Sequence, residues 1–143
     1  MVNVEGRELR EGLYYWPHGL TWAKKEPDGR VRVGLSDLAQ ELAGKIRFCR
    51  TRPPGREVEQ GKGVATLETG KWVGPVEAPI TGLIDQVNDA LRTKAALINE
   101  DPYGEGWVAV LKPSKPEELE GLVHGDALVE WYKKEIAERT KKK

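Results

Sequence analysis

Apolar residues along this 143-residue chain fall into short runs separated by turn-forming sequences. Glycine and proline mark such turns in "EPDGR", "RPPG", "QGKG" and "TGK". Many short apolar runs between turns are typical of a β-barrel or β-sandwich. "LTWAKK" and "RVRVGL" flank one of these turns and predict a β-hairpin. The pattern therefore predicts a mainly β fold.

The middle of the chain predicts one helix between strands. "SDLAQELAG" (36–44) reads as a helix that Ser36 caps and Gly44 ends. "KIRFCRTR" (45–52) alternates like a strand, with Ile46 and Phe48 on one face and Arg47 and Cys49 on the other. "GWVAVLK" (106–112) predicts a further strand.

The C-terminal part of the chain has a helical pattern. In "PEELEGLVHGDALVEWYKKEIAER" an apolar stripe recurs at helical spacing, and it consists of Leu128, Trp131, Tyr132 and Ile136. Gly125 and Asp126 are expected to divide this segment into two helices, with Asp126 as a cap. We expect a single domain over 1–143, with a core of about 10–113 and a helical segment of about 116–140.

Composition narrows the class of protein. Twenty-three basic and 23 acidic residues balance, which argues against bulk attraction to nucleic acid or to an anionic membrane. No apolar run reaches the roughly 18 residues of a membrane span. The charged N-terminus lacks a signal-peptide pattern, and a single cysteine excludes an internal disulfide, so a cytoplasmic protein is expected. The terminal "KKK" (141–143) reads as a frayed, solvated end.

Groups for catalysis are sparse in this sequence. His18 and His124 each lie beside a glycine at the end of an element, where a surface or capping role is expected. Cys49 follows Phe48 on a strand and reads as a buried, inert thiol. The sequence contains no phosphate-binding loop, no GxSxG motif and no set of residues at metal-ligand spacing.

One lysine has an unusual setting. "ATLETGKWVGP" (65–75) predicts a strand, a tight turn and a second strand, with Lys71 at the tip. Gly70 permits the bend, and apolar residues on both strands would fix the hairpin in the core. These anchors would be Val64, Leu67, Val73 and Val76. On geometry alone, an ordinary solvated turn lysine remains the simpler interpretation.

The sequence around Lys71 resembles the lipoyl-attachment region of the glycine cleavage H-protein family. The resemblance runs through "GREVEQGKGVATLETGKWVGPVEAPITGLIDQVNDAL", where Gly55 lies sixteen residues before the lysine and Gly82 eleven after it. "NEDPYGEGWVAVLKPS" (99–114) is similar to a signature of this family, and "VRVGLSDLAQELAGKI" matches its strand–helix–strand segment. The resemblance covers about residues 10–135, and it implies structural roles for both glycines.

The resemblance implies a barrel-sandwich hybrid of two small antiparallel sheets, with a short internal helix and C-terminal helices. It also implies lipoic acid amide-linked to Lys71 of a non-catalytic carrier, expected to be a monomer. The arm would receive an aminomethyl group at a pyridoxal-phosphate glycine decarboxylase. It would pass that group to an aminomethyltransferase and be reoxidised by dihydrolipoamide dehydrogenase. A lipoate ligase or an octanoyl or lipoyl transferase would load it.

The turn departs from the usual family sequence. H-proteins typically read Glu-Ser-Val-Lys-Ala, whereas this chain has Glu68, Thr69, Gly70, Lys71 and Trp72. Trp72 either packs on the hairpin or lies under the arm. "GKWVGP" resembles lipoate-binding proteins of the heterodisulfide-reductase-like sulfur-oxidation system, which favours a sulfur intermediate on the arm and sulfur enzymes as partners. Glycine cleavage stays open as the pathway.

Two other interpretations of the hairpin stay open. A biotinyl carrier would share its geometry but normally has Met-Lys-Met at the turn, which Gly70 and Trp72 do not match. An unmodified binding module could also have kept the fold. The "DPYGEGW" loop (101–107) is expected to be a structural turn beside the core, not a contact for partners.

Overall fold

The computed structural model describes residues 2–141, and within them the chain is mainly β. The strands are β1 (Val2–Val4), β2 (Arg7–Leu9), β3 (Tyr14–Trp16), β4 (Thr21–Lys25), β5 (Val31–Leu35), β6 (Phe48–Thr51), β7 (Glu57–Val58), β8 (Gly63–Glu68), β9 (Val73–Glu77), β10 (Gly82–Val87) and β11 (Ala109–Pro113). The α-helices are α1 (Asp37–Ala43), α2 (Leu97–Glu100) and α3 (Leu128–Arg139). Short 3₁₀ helices span Asp89–Arg92, Pro116–Gly121 and Gly125–Ala127. The last two residues of the "KKK" tail lie outside the described residues.

The strands form three antiparallel sheets. Six strands pair in the order β3-β4-β5-β11-β10-β7, three in the order β6-β8-β9, and β1 pairs with β2. β4 and β5 form the hairpin that the alternating pattern predicts, with Ala23 opposite Val33. The mainly β fold class with short helices is therefore confirmed, but there are three sheets among residues 2–141 where the resemblance implies two.

A continuous apolar core lies between these sheets and the helices. Trp22, Tyr15 and Tyr132 are its largest fully buried side chains. Trp22 also donates its indole N–H to the carbonyl of Pro102 over 3.1 Å. This bond ties the 101–107 loop to the core, and the Asp101 carboxylate accepts from the Glu105 amide within it at 2.9 Å. These contacts match the structural role expected for this loop.

Helix α1 has the caps that its sequence predicts. The Ser36 hydroxyl accepts a hydrogen bond from the Ala39 amide at 3.1 Å, which satisfies one of the free amides of the first turn. Gly44 ends the helix and donates its amide to the Gln40 carbonyl at 3.1 Å. Beyond the helix, the Ile46 amide donates a hydrogen bond to the side chain of Asn99 at 2.9 Å. This bond ties the segment after α1 to α2.

The predicted facing of the 45–52 segment is wrong. Ile46 is buried, but Phe48 is 63% exposed and Cys49 is partly buried. The strand begins only at Phe48, so Ile46 precedes it and does not follow its alternation. Phe48 therefore points outward from the sheet, while Cys49 faces inward.

The C-terminal segment also differs from the prediction. The break between helices comes at Leu122–His124, where Val123 pairs with Tyr15 in an isolated bridge. Asp126 lies inside the 3₁₀ turn that leads into α3 and makes no cap, since Ala127 is the cap residue of α3 without a side-chain bond. Leu128, Tyr132 and Ile136 of the predicted stripe are buried, and Trp131 packs against the core partly buried.

The N-terminal hairpin was not predicted from the sequence. Val4 and Leu9 of β1 and β2 are buried in the same core as the sheets. The Tyr132 hydroxyl of α3 donates to the Glu8 carbonyl at 3.1 Å and accepts from the Leu38 amide at 3.0 Å. The hairpin, α1 and α3 are thereby fastened together. Among residues 2–141, no helix is both long and apolar enough to cross a membrane.

Candidate functional site: the Lys71 hairpin

Lys71 lies at the tip of the β8–β9 hairpin. Glu68 and Val73 form the last cross-strand pair before the turn. The Thr69 amide donates to the Trp72 carbonyl at 3.0 Å and closes the loop, while Gly70 adopts a left-handed φ of 104°. This conformation favours glycine because a side chain would be strained there. Lys71 is exposed, and no residue within 2–141 forms an ion pair with its ammonium.

Buried side chains anchor both strands of the hairpin. Val64, Leu67 and Val76 are fully buried, as the sequence predicts. The expectation for Val73 is wrong, since this residue is 62% exposed. Val73 and Val76 are three positions apart on one strand, so alternation places them on opposite faces. The hairpin is thus rigid on its inner face and apolar on part of its outer face.

Arg47, the residue before β6, supports the turn. Its amide donates to the Glu68 carbonyl at 2.8 Å. Its guanidinium lies over Gly70, so that a Cβ built on this glycine would be 3.3 Å from Nε of Arg47. A cation therefore lies against the backbone immediately before the lysine, at a distance that a larger residue at position 70 would disturb.

The Trp72 side chain packs against β9, the strand that follows it. Its indole lies across Gly74, and a Cβ added at Gly74 would overlap the six-membered ring. The ring still keeps 44% of its surface exposed and lines the groove beside Lys71. The two interpretations of Trp72 are therefore compatible, because the indole packs on the hairpin and also presents a face to the groove.

A groove of about 860 Å³ begins at the Lys71 turn. Its floor is mostly apolar and includes Leu20, Leu35 and Leu67. Its charged lining consists of Lys45, Arg47, Lys71, Glu77 and Arg139. Arg139 pairs with Glu135 at 2.7 Å, and Glu77 accepts the indole N–H of Trp16 at 2.8 Å.

Lys45 and Arg47 have no side-chain ion pair among the described residues, so they set the electrostatic character of this groove. The lining cations outnumber the one lining carboxylate, Glu77, so the net charge of the groove lining is positive. The apolar floor belongs to the same groove as Lys71, so the apolar end of an extended side chain on this lysine could lie along it.

The two glycines that flank the lysine in sequence contact the six-stranded sheet, not the β8–β9 hairpin. Gly55 has a φ of 94° and donates its amide to the Ile84 carbonyl at 2.8 Å. Gly82 lies between β7 and β11, and a Cβ there would be 2.5 Å from the Lys112 carbonyl oxygen. Each glycine thus allows a backbone arrangement that a side chain would oppose, and neither lies at the Lys71 turn.

Other candidate groups do not converge on one site. His18 is exposed at the groove, whereas His124 packs against Tyr14 with ring centroids 4.8 Å apart. Burial raises the pKa of the Cys49 thiol to about 12, which keeps it protonated. No group of three histidines, cysteines or acids within residues 2–141 is arranged to hold a metal ion.

Sequence reasoning missed the groove and the residues that line it beyond the turn. Leu42 comes from α1, and Lys45 and Arg47 come from the connection between α1 and β6, which the sequence shows only as a helix followed by a strand. The alternation of the sequence places Phe48 on the buried face, whereas β6 begins only at Phe48 and the side chain is exposed. The unusual signal available was the run of cations around a single aromatic residue in "KIRFCRTR".

Comparisons with known proteins agree on the family. The sequence model described as "Glycine cleavage H-protein" matches residues 13–135. The chain is similar to "Probable glycine cleavage system H protein 2" of Saccharolobus solfataricus, with 45% identity over 96% of this chain and 94% of that protein. It is also similar to "Glycine cleavage system H protein 2" of Aquifex aeolicus, with 48% identity over 94% of this chain and 84% of that protein.

A solved structure supports the same assignment. The crystal structure of a glycine cleavage system H protein from Mycobacterium marinum aligns with a TM-score of 0.68 and 32% identity, covering 74% of this chain and 87% of that one. Its fold matches the three-sheet architecture described above. The chain therefore belongs to the glycine cleavage H-protein family, a family of non-catalytic carrier proteins.

Proposed function

We propose that this protein is a lipoyl carrier and that its arm is attached to Lys71. The observation that carries the proposal is the position of this lysine in a chain of the H-protein family. Lys71 is exposed at the tip of a hairpin whose strands are anchored in the core. An enzyme can therefore grip the turn and reach the amine without unfolding the protein.

The residues around Lys71 fit a lipoyl group. The groove that begins at this lysine has an apolar floor, which suits a hydrocarbon chain and a dithiolane ring. The half-exposed indole of Trp72 adds an aromatic surface at the mouth of the groove. Thr69 and Gly70 keep the turn tight. Glu68 lies beside Val73 on the face of the hairpin that points away from the groove.

Lipoic acid, when amide-linked to Nζ of Lys71, supplies a disulfide that can be reduced and can hold a transferable group. The protein itself positions the lipoyl arm. Its rigid hairpin holds the base of the arm, and tethering gives the end of the arm a high effective concentration at each partner enzyme. A catalytic group on this chain is not required by that role.

The test is mass spectrometry of protein purified from its native cells. Trypsin does not cut after an acylated lysine, so modification at Lys71 should leave residues 63–92 as one peptide with a lipoyl increment. Lys71→Arg should fold normally and lose the increment, whereas Lys62→Arg should keep it. A biotin-sized increment would support a biotinyl carrier. An unmodified Lys71, in cells whose other lipoyl proteins are loaded, would support a bare binding module.

Glycine cleavage is the first candidate pathway for the arm. The relatives from Saccharolobus solfataricus and Aquifex aeolicus are named as components of that system. The partners would then be the pyridoxal-phosphate glycine decarboxylase, the aminomethyltransferase and dihydrolipoamide dehydrogenase. A lipoate ligase or an octanoyl or lipoyl transferase would load the lysine in either pathway.

Sulfur oxidation is the second candidate, and the charge of the groove favours it. Lys45 and Arg47 are unpaired cations beside the arm's path, which suits an anionic sulfur group better than a cationic aminomethyl group. Aquifex aeolicus has relatives numbered 2, 3 and 5, so a single organism holds several H-protein copies. Such copies allow some to serve heterodisulfide-reductase-like sulfur enzymes.

The pathways can be separated with the loaded protein. It would be offered glycine with the decarboxylase, or reduced sulfur with the heterodisulfide-reductase-like enzymes, and the mass of the 63–92 peptide would be followed. A one-carbon amine on the arm would assign glycine cleavage. A sulfur increment that appears only with the sulfur enzymes would assign sulfur oxidation.

A further inference from the structure

The exposed large apolar side chains gather at one end of the molecule. Within residues 2–141 they are Leu42, Phe48, Trp72 and Val73, with exposed fractions of 44%, 63%, 44% and 62%. Leu42 and Trp72 line the groove that also contains Lys71. Exposed apolar residues that cluster in this way mark an interaction site more often than scattered ones do.

Phe48 and Val73 belong to one row across the outer face of the three-stranded sheet. Phe48 is the partner of Glu68 on β8, and Glu68 is the partner of Val73 on β9. Side chains at directly opposed positions of antiparallel strands lie on the same face. This row, defined as the Phe48 row, ends where the Lys71 turn begins.

Unpaired cations lie near the Phe48 row, with Arg50 on the same face as Phe48 and with Lys45 and Arg47 at the groove. Segment 45–52 supplies Lys45, Arg47, Arg50 and Arg52, all exposed and without an ion pair among the described residues. Arg50 is the partner of Thr66, so it lies one step further along the same outer face as Phe48. The segment contains no acid, although the whole chain has a formal net charge of zero. Glu68 is exposed in the middle of the Phe48 row, so the row and segment 45–52 together carry four cations and one carboxylate, an excess of positive charge beside the lysine.

We propose that the Phe48 row and the cations of segment 45–52 form the docking surface for the enzyme that attaches lipoate to Lys71. This inference rests on the carrier role proposed above. The partner surface would be apolar opposite Phe48 and acidic around it, because opposite charges guide the encounter and the buried aromatic residue stabilises the complex. Such an enzyme must cover the turn to reach the lysine amine.

A second copy of this chain does not fit the same surface. A twofold contact places one patch against itself, so the cations of segment 45–52 would face one another. β6 is an edge strand of its sheet, and charges on such a strand oppose pairing between copies. The basic "KKK" segment of this chain is not a suitable occupant either, because the cations of segment 45–52 would repel its lysines. An acidic partner would offset the positive charge of segment 45–52, whereas a second copy would bring a second set of the same cations against it.

The experiment uses the full chain and the lipoate–protein ligase purified from the same cells. The initial rate of lipoyl addition, followed by intact mass, would be measured against carrier concentration. Phe48→Thr keeps a strand-forming residue, and it should raise KM about tenfold while kcat changes less than about twofold. The lysine and its turn are unchanged in this variant, so a docking role predicts an effect on KM.

Charge reversal tests the electrostatic part. Lys45→Glu with Arg50→Glu should raise KM at low ionic strength, and the difference should shrink at high ionic strength because salt screens exposed charges. Arg47 is left in place because its guanidinium packs on the turn. The matched control is Lys62→Glu with Lys115→Glu, which makes the same charge change at exposed positions away from the Lys71 turn: Lys62 precedes β8 at the other end of the hairpin, and Lys115 follows β11. This control should leave KM within about twofold.

The outcomes separate the two proposals. A wild-type chain that the ligase does not modify overturns the carrier role, and the docking surface with it. Normal modification of the wild type, together with an unchanged KM for Phe48→Thr and for the charge reversal, overturns the docking surface alone. Equal effects of the charge reversal and its control would show general charge dependence and would also overturn it. Circular dichroism confirms that every variant is folded.

Discussion

The indole of Trp72 lies across the backbone of Gly74, and this contact orients the residue that follows the lysine. Trp72 directly precedes β9, and its ring folds back onto the face of β9 at Gly74. The absence of a side chain at Gly74 therefore leaves the space that the Trp72 ring occupies. The remaining exposed face of Trp72 lines the groove, where its orientation affects what can lie beside Lys71.

Gly74→Ala should displace the Trp72 indole. A Cβ at this position would overlap the ring, and overpacking of this kind costs about 1–3 kcal/mol in the free energy of unfolding. Most of that cost should vanish in the Trp72→Ala background, since the clash has then been removed. Urea denaturation of the four proteins in this double-mutant cycle measures the coupling. Equal costs in both backgrounds would show that the ring does not depend on this space.

Gly70→Ala should strain the lysine turn. Gly70 has a φ of 104°, and a Cβ would also approach the Arg47 guanidinium at 3.3 Å. The expected cost is about 1 kcal/mol or more. The amide of Thr69, which donates to the Trp72 carbonyl, should exchange faster with solvent. Hydrogen exchange by NMR measures it, with Thr69→Ser as the control that keeps the hydroxyl and Gly70.

The elements that local sequence controls were predictable. Ser36 and Gly44 bound α1 because capping depends on a few neighbouring residues, and the β4–β5 hairpin follows from its turn and alternation. Lys71 was predicted at the tip of its hairpin for the same reason. Its proposed modification depends on the resemblance of the surrounding sequence, since the geometry of one exposed lysine is common.

The features that sequence did not reveal depend on pairing between distant segments. The face of Phe48 is set by its partner Glu68 on β8, which no local alternation specifies. The N-terminal hairpin is held by Tyr132, more than a hundred residues away, through the Glu8 carbonyl. The groove at Lys71 likewise combines the α1–β6 connection with β9. Tertiary contacts decide all three.

Gly82→Ala should be among the more destabilising single substitutions in the chain. Gly82 is buried between β7 and β11, and a Cβ would be 2.5 Å from the Lys112 carbonyl oxygen and 3.3 Å from Cα of Pro113. These atoms belong to the backbone of the six-stranded sheet and cannot rotate away. A loss of about 2–4 kcal/mol is expected in the free energy of unfolding.

Gly121→Ala is the matched control for Gly82→Ala. It lies on the surface with nothing within 4 Å of the added Cβ, and it should change stability by less than about 0.5 kcal/mol. Thermal and urea denaturation of both variants compare the two sites. A Gly82→Ala protein as stable as Gly121→Ala would contradict the close strand packing described here.

The stability of the protein should depend on pH through Cys49. Burial raises the pKa of this thiol from 9.0 to about 12. Above about pH 9 the unfolded chain loses the thiol proton while the folded protein keeps it, so the unfolded state binds fewer protons and the free energy of unfolding falls as pH rises. The contribution is complete below pH 9 and is lost progressively towards pH 12.

Cys49 is partly exposed, so the slope of the free energy of unfolding against pH should stay below the one-proton limit of about 1.4 kcal/mol per pH unit. Urea denaturation between about pH 8 and pH 10 measures the slope. Tyr15, Tyr103 and Tyr132 also have raised pKa values and contribute near pH 10, so the difference between the wild type and Cys49→Ala isolates the thiol. Cys49→Ala should flatten the slope, and parallel curves for the two proteins would show that the thiol ionises equally in both states.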